Sequence, residues 1–296
     1  MMWGMLPIAI KELLVGMDAS TIVWYRFLVA GVVLGLWLLT TGKLPRIRQT
    51  THTLRWLLLI AVVALSSNYF LFSYSLNFVN AETSEAVIQL TTLFLILGGV
   101  WVYKEPFVAV QKFGTLLIVL GLLLFFNERI RDLTNLENRE TIGVIIVVFA
   151  ALTWVVYALL QKKLQLEFTS VQILFFIYMC AIVLLLPFIR PAGLLQLSGF
   201  HFALLAFCCI NTLVAYGCFA EALNCWEASK VSAVLALAPL FTISTLKIIV
   251  WINPDYAFSD RLTLMSLLGA MLLVVGSVLT ALVPLLYKRR LARLQS

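Results

Sequence analysis

The chain alternates long apolar runs with short polar stretches. The runs lie near 1–15, 22–40, 54–74, 84–103, 107–126, 142–161, 171–189, 200–220, 230–251 and 262–286. A helix needs about 20 apolar residues to cross the hydrocarbon core of a bilayer. The pattern therefore predicts ten transmembrane helices, and the connectors leave no room for a soluble domain. The first run is short. Met1 to Val15 extends about 22 Å as a helix and contains Lys11 and Glu12, so the native start is expected upstream of Met1. Mass spectrometry of the native N-terminus tests this. No basic segment with a small-residue cleavage site precedes the first run, and a cleavable signal peptide is not expected.

Composition turns this pattern into an exclusion. Of 296 residues, 62% are hydrophobic and 12% charged, against about 45–50% and about 25% in soluble domains. Mean hydropathy is +1.03. No soluble fold of this size hides so much apolar side chain, which argues against soluble enzymes, disordered chains and nucleic-acid-binding domains. The net charge of +7 fits the basic bias of cytoplasmic loops. With ten spans, thirteen Lys and Arg fall on the side of the termini: Lys43, Arg46, Arg48, Arg55, Lys104, Lys112, Lys162, Lys163, Lys230, Lys288, Arg289, Arg290 and Arg293. Five fall opposite: Arg129, Arg131, Arg139, Arg190 and Arg261. Both termini are thus expected in the cytoplasm. Trp24, Tyr25, Trp56, Trp101, Tyr103 and Trp251 near the run ends suit aromatic belts. Cys180, Cys208, Cys209, Cys218 and Cys225 lie in or beside apolar runs without metal or disulfide spacing and read as small packing residues.

The chain also repeats itself. Tyr69–Phe94 aligns with Tyr216–Phe241 at a shift of 147, with ten of 26 positions identical, among them Tyr69/Tyr216, Asn77/Asn224 and Phe94/Phe241. Gly114/Gly269 and Gly121/Gly276 match at a shift of 155, and Trp3/Trp154 and Lys11/Lys162 at 151. Each copy holds five spans. Five is odd, so the second copy enters the membrane from the opposite side. Inverted repeats of this kind characterise secondary transporters, whose substrate sites lie near the midplane between the halves.

These residues resemble the drug/metabolite transporter superfamily, EamA-type, over essentially the whole chain. The resemblance rests on Trp3-Gly4, Ile8-Ala9-Ile10-Lys11, Arg26-Phe27-Leu28, Ala81 through Phe94 with Lys104-Glu105, Gly143 through Lys163 with Trp154 and Tyr157, and Ala228 through Phe241 with Pro239. Thr92 stands where the family often has proline, and Glu105-Pro106 corresponds to Asn253-Pro254. The expected fold is an all-α integral membrane protein of ten transmembrane helices in two inverted-topology five-helix repeats. Residues 1–127 form the first repeat, 128–140 an extracytoplasmic linker, 141–287 the second repeat and 288–296 a basic cytoplasmic tail. The resemblance implies a central cavity lined mainly by spans 1, 3, 4, 6, 8 and 9. It also implies carriage of amino acids, other metabolites, nucleotide-linked sugars or drugs.

Polar groups inside spans are the candidates for that cavity, because hydrocarbon penalises them unless they are paired or face water. They are Asn68 and Tyr69 on the third span, Gln89 and Thr92 on the fourth, Trp154 and Tyr157 on the sixth, and Asn211, Thr212 and Tyr216 on the eighth. Trp3 is set opposite Trp154 by the repeat. The alternative for each is an interhelical hydrogen bond of about 0.6–2 kcal/mol. Glu85, Gln89 and Thr92 share one helix face. Glu85 is placed to titrate or to meet a cationic solute. Against that, Glu82 and Glu85 lie near a helix N-terminus, where an acid is favoured by the dipole. Snorkelling is expected for Lys11, Arg26 and Lys247, with Lys11 and Arg26 alternatively a structural pair near the outer face. Lys230 reads as an anchor and Glu105 as a partner for Arg46 or Arg48. Gly31 and Gly35, and the glycines of spans 5 and 10, read as close packing within the monomer before a dimer interface. Pro239 can kink the ninth span and free a carbonyl near the cavity.

His52 and His201 lie in or beside loops, and no metal spacing, phosphate cradle, HExxH or GxSxG occurs. The sequence implies no cofactor and no nucleic acid. Three readings compete: a secondary carrier, a membrane-embedded enzyme on a lipid-linked substrate, and a scaffold or channel. The enzyme lacks a catalytic dyad and the channel lacks polar pore rings, whereas the carrier explains the inverted repeat. The expected function is secondary transport of small organic metabolites, with export preferred by analogy, across the cytoplasmic (inner) membrane. The expected partners are the lipid bilayer, a small-molecule solute and a coupling proton or ion, with the protein a monomer or homodimer. No ATP-binding motif is present, so ATP is not expected to drive transport through this chain.

Overall fold

The computed structural model describes residues 2–45, 50–104, 107–225 and 234–295, except for the side chains of 220, 221, 223–225 and 282–295. Among the described residues the regular structure is helical. The helices are α1 (Met2–Leu13), α2 (Ala19–Thr40), α3 (His52–Ser75), α4 (Ala81–Ile88), α5 (Leu90–Tyr103), α6 (Ala109–Phe125), α7 (Arg139–Leu164), α8 (Ser170–Leu185), α9 (Gly199–Cys225), α10 (Ala238–Ile252) and α11 (Leu264–Gln295). Seven stretches are long and apolar enough to cross a membrane, with α4 and α5 together forming one of them. Helices α6 and α10 are apolar but shorter. Large apolar side chains such as Trp37, Trp101, Leu195 and Trp251 are exposed, while Arg26, Asn68, Glu85 and Asn211 are buried. An apolar exterior around polar interior groups suits lipid as the surrounding solvent.

Local sequence sets where the helices begin. Asp18 accepts from the Thr21 amide at 3.0 Å and caps α2. Thr51 caps α3, and Thr169 with Gln172 closes a capping box on α8. Each cap satisfies an amide that the first helical turn leaves without a partner. Pro239 lies in the first turn of α10, where a missing N–H costs nothing.

Packing joins the two halves reciprocally. Helix α3 packs on α7 and α9 on α1; α4 packs on α7 and α10 on α1; α2 packs on α9 and α8 on α3. Helices α6 and α11 form the longest seam, and glycine permits it. A Cβ on Gly114 would stand 2.7 Å from the Gly276 carbonyl oxygen, and one on Gly121 2.8 Å from that of Gly269. These glycines therefore pack within the chain. Gly31 faces Tyr178, Met179 and Ile182 of α8 more loosely, at 3.4–3.5 Å from where its Cβ would stand.

Three expectations change at this level. The predicted span 84–103 is two helices, α4 and α5, separated at Gln89. Arg26 does not snorkel: it is 2% exposed, with Nε donating to Thr212 Oγ1 at 2.9 Å. Nor do Lys11 and Arg26 pair. Lys11 Nζ donates to the carbonyls of Leu76 at 2.6 Å and Val79 at 2.9 Å, where the end of α3 leaves carbonyls without partners. Lys247 is exposed. Glu105, Lys230, Arg46 and Arg48 lie outside the described residues.

Candidate functional site

A cavity of about 190 Å³ lies between the halves. Helix α1 contributes Trp3, α2 Arg26, and α3 Asn68 and Tyr69. Glu85, Gln89 and Thr92 come from α4, the break and α5; Trp154 comes from α7, Tyr216 from α9, Leu235 and Ala236 from the approach to α10, and Ala238 from its first position. The two interruptions facing the cavity are repeat-equivalent. Gln89 separates α4 from α5, and the turn Ala236–Leu237 separates the helical residues 234–235 from α10. A shift of 147 carries Gln89 onto Ala236. Interrupted helices expose backbone groups, and membrane proteins tolerate that where the backbone lines a cavity.

The cavity wall is aromatic and held by interhelical contacts. Trp3 meets Tyr216 edge-on at 5.1 Å between ring centroids. Tyr69 and Tyr216, the repeat-matched pair, stand 5.5 Å apart. Tyr69 also packs on Phe27 at 4.7 Å and receives the Arg26 guanidinium over its face at 4.7 Å. Asn68 Nδ2 donates to the Ala150 carbonyl of α7 at 2.8 Å. Gln89 Oε1 accepts from Ser277 Oγ of α11 at 3.2 Å. A second, more apolar cavity of about 390 Å³ shares Trp3, Leu235 and Ala238 with the first.

Of the twelve sequence candidates, Trp3, Asn68, Tyr69, Glu85, Gln89, Thr92, Trp154 and Tyr216 line the cavity together. Tyr157, Asn211, Thr212 and Pro239 do not. Tyr157 is buried in the apolar cluster of α2, α3, α7 and α8. Asn211 Nδ2 donates to the Met2 carbonyl at 2.7 Å and holds α9 to α1. Pro239 is turned one residue from the lining Ala238. Glu82 and Glu85 part company. Glu82 accepts from Ser259 Oγ at 2.7 Å at the start of α4, whereas Glu85 lies a turn deeper and faces the cavity. Sequence reasoning missed Arg26 as a lining residue. The signal was present, because an ionisable group inside a span is by default a functional candidate.

Among the described residues no group of three His, Cys, Asp or Glu is placed to hold a metal. The arrangement offers one cation, one carboxylate, amide groups and aromatic faces in a space for a small molecule.

Comparison with known proteins decides the family. A model described as the EamA-like transporter family matches residues 1–127 and 141–282. The chain belongs to the EamA-like transporter family. An "Uncharacterized transporter" of Haemophilus influenzae is 39% identical over 281 residues, covering 95% of this chain and 91% of that protein. The "Uncharacterized inner membrane transporter YhbE" of Escherichia coli K12 is 39% identical over 283 residues, covering 94% and 87%. A "Probable amino-acid metabolite efflux pump" of Escherichia coli K12 is 22% identical over 208 residues, 66% of each chain. A crystal structure matches with a TM-score of 0.64 at 14% identity, covering 95% of this chain and 93% of that one; at that identity the likeness concerns the fold. This EamA-like chain is thus a membrane transporter, with a bilayer and a small solute as its partners.

Proposed function

We propose that this EamA-like protein is a secondary transporter that exports small organic solutes, amino acids among them, by alternating access across the cytoplasmic (inner) membrane. In this reading ten transmembrane helices form two inverted five-helix repeats, 1–127 and 141–287, joined by the 128–140 linker and followed by the 288–296 tail. Both termini are cytoplasmic. The observation that carries the proposal is the cavity between the halves, bordered by repeat-equivalent helix interruptions at Gln89 and Ala236. Reciprocal packing of α3 on α7 and α9 on α1 supports the inverted repeat, as does the meeting of Tyr69 with Tyr216. Two related halves that pack the same parts in two ways can open to either side in turn.

The volume, about 190 Å³, lies below the about 300–1,000 Å³ of pockets for drug-sized ligands. It favours small metabolites over bulky drugs. Export and amino acids are the activity in the name of the Escherichia coli efflux pump, and the inner membrane is that in the name of YhbE. A coupling proton or ion belongs to the same reading.

The test is flux in proteoliposomes. The purified chain is reconstituted, and the vesicles are loaded with labelled amino acids, nucleosides, vitamins or cationic amines. Efflux above protein-free vesicles for at least one small solute is expected. Folded, reconstituted protein that moves none of them overturns the proposal.

A further inference from the structure

The two copies of the repeat are unequal in one connection. Between Phe241 and Gly269 the second copy holds eight residues more than the first holds between Phe94 and Gly114. Most of the excess is loop: 104–108 joins α5 to α6, whereas 253–263 joins α10 to α11. The longer loop is a strap braced on itself. Arg261 Nη2 donates to the Pro254 carbonyl at 3.1 Å, and Arg261 takes left-handed backbone, φ +47°, a conformation costly to a residue other than glycine. The strap grips the first half at two helices. On α1, the Lys11 ammonium lies over the Phe258 ring at 5.6 Å. At α4, Ser259 Oγ and the Asp260 amide donate to Glu82 Oε1 at 2.7 and 3.3 Å, and the Asp260 carboxylate takes Asn80 and Thr83. Beneath the strap, Tyr256 packs on buried Ile8, Ala81 and Leu246 of α1, α4 and α10. Those three helices also border the cavity. Ile8 stands two residues past the lining Leu6, and Ala81 one turn before the lining Glu85. One layer of apolar side chains with the strap over it thus closes the cavity at this end.

We propose that the 253–263 strap is the latch of a gate whose plug is Ile8, Ala81, Leu246 and Tyr256, and that it lets go of α1 and α4 each time solute passes this end. The proposal rests on the transporter reading, because alternating access needs each end of the cavity sealed and unsealed in turn. The contacts suit release. Glu82 Oε2 is buried with no hydrogen-bond partner among the described residues, so the closed latch carries a cost that opening to water relieves. Arg129 stands 3.8 Å from Asp260 but holds Glu140 at 2.6 Å, and it stays paired when the strap leaves. The α6–α11 seam is of another kind. There backbone meets backbone at glycines, which fixes α11 and leaves α10 with the strap as the moving part, turning at Arg261. The excess residues lie in one copy, so the two ends of the carrier are sealed by unequal means. With both termini cytoplasmic, the latched end is the extracytoplasmic one.

The experiment ties the strap down. Thr83→Cys with Asp260→Cys sets two thiols where Thr83 Oγ1 and Asp260 Oδ2 stand 2.6 Å apart, and a short bifunctional thiol reagent bridges them, as mass spectrometry of the peptides verifies. Flux is read in proteoliposomes with a solute that the unsubstituted chain moves. Bridging is expected to lower the flux at least about tenfold, while the same reagent leaves each single variant unchanged. A bridged chain that carries solute as fast as the unbridged one overturns the latch, because a clasp that never opens is indifferent to being tied. Should the double variant fail to fold, labelling decides. Thr92→Cys puts a thiol in the cavity wall, and an impermeant maleimide is added to vesicles on the strap's side. Adding Asp260→Ala is expected to raise the labelling rate about tenfold or more, the worth of one hydrogen bond to a charged group, with no rise from the opposite side. An unchanged rate, or an equal rise from both sides, overturns the latch and leaves the transporter reading intact. An unsubstituted chain that moves no solute overturns the transporter reading beneath it.

Discussion

One carboxylate ties the two halves together at the end of the bundle where α4 begins. Asp260, just before α11, accepts from Asn80 Nδ2 at 2.9 Å, from Thr83 Oγ1 at 2.6 Å and from the Thr83 amide at 3.2 Å. Its own amide donates to Glu82 Oε1 at 3.3 Å. Its side chain is 7% exposed, so water cannot readily replace what a substitution removes. Asp260→Ala deletes three acceptor contacts and leaves the Thr83 amide, an N-terminal helix donor, without a partner. Hydrogen bonds to a charged group contribute about 1.5–3 kcal/mol each, and three on one carboxylate do not simply add. A loss of about 2–4 kcal/mol in the local opening free energy is expected, which is about 30- to 1,000-fold faster amide exchange. Hydrogen exchange read by mass spectrometry in detergent tests this. Peptides covering 80–88 and 258–262 should exchange faster, and those of the α6–α11 seam should not. Asp260→Asn keeps an acceptor oxygen but loses the charge and should fall between. Unchanged exchange at 80–88 refutes the reasoning. Equal acceleration along α6 and α11 also refutes it, because the loss would then be global.

Two further outcomes follow from the geometry. Gly269→Ala puts a Cβ against the Phe125 amide nitrogen and 2.6 Å from the Gly121 carbonyl oxygen, so the helices must part and stability should fall by about 1–3 kcal/mol. Gly217→Ala meets nothing within 4 Å and should gain up to about 1 kcal/mol in helix propensity; thermal unfolding that ranks the two equally contradicts the account of the seam. Tyr216→Ala should weaken solute binding, because the ring lines the cavity and supports Trp3. Asn211→Ala should instead cost about 0.5–1.5 kcal/mol of stability by removing the hydrogen bond that holds α9 to α1; titration and melting of both variants check this, and the opposite ranking would return Asn211 to the site.

What the sequence determined by itself is what is local or repeated. A run of apolar residues becomes a helix because hydrocarbon offers the backbone no other partner, and such runs are visible without knowing any neighbour. The repeat carried more. Tyr69 and Tyr216 were legible as a matched pair, and in the folded chain they meet; the matched glycines of α6 and α11 meet crosswise, Gly114 with Gly276 and Gly121 with Gly269. The tertiary structure decided which face of each helix looks inward. Asn211 is as polar as Tyr216 and as deep in its run, yet it stands about 140° around α9 from it and turns to α1 instead of the cavity. Pro239 was expected to kink a span and instead stands in the first turn of α10, while its neighbour Ala238 lines the cavity. Arg26 shows the limit most clearly. Near a helix start, an arginine can reach for water or be drawn inward, and the side chain's composition does not choose. The choice was made by Thr212, 186 residues away in sequence, and by Tyr69 beneath the guanidinium. Residues far apart in the chain become partners only when the helices pack, and that packing places one cation and one carboxylate on the same small cavity.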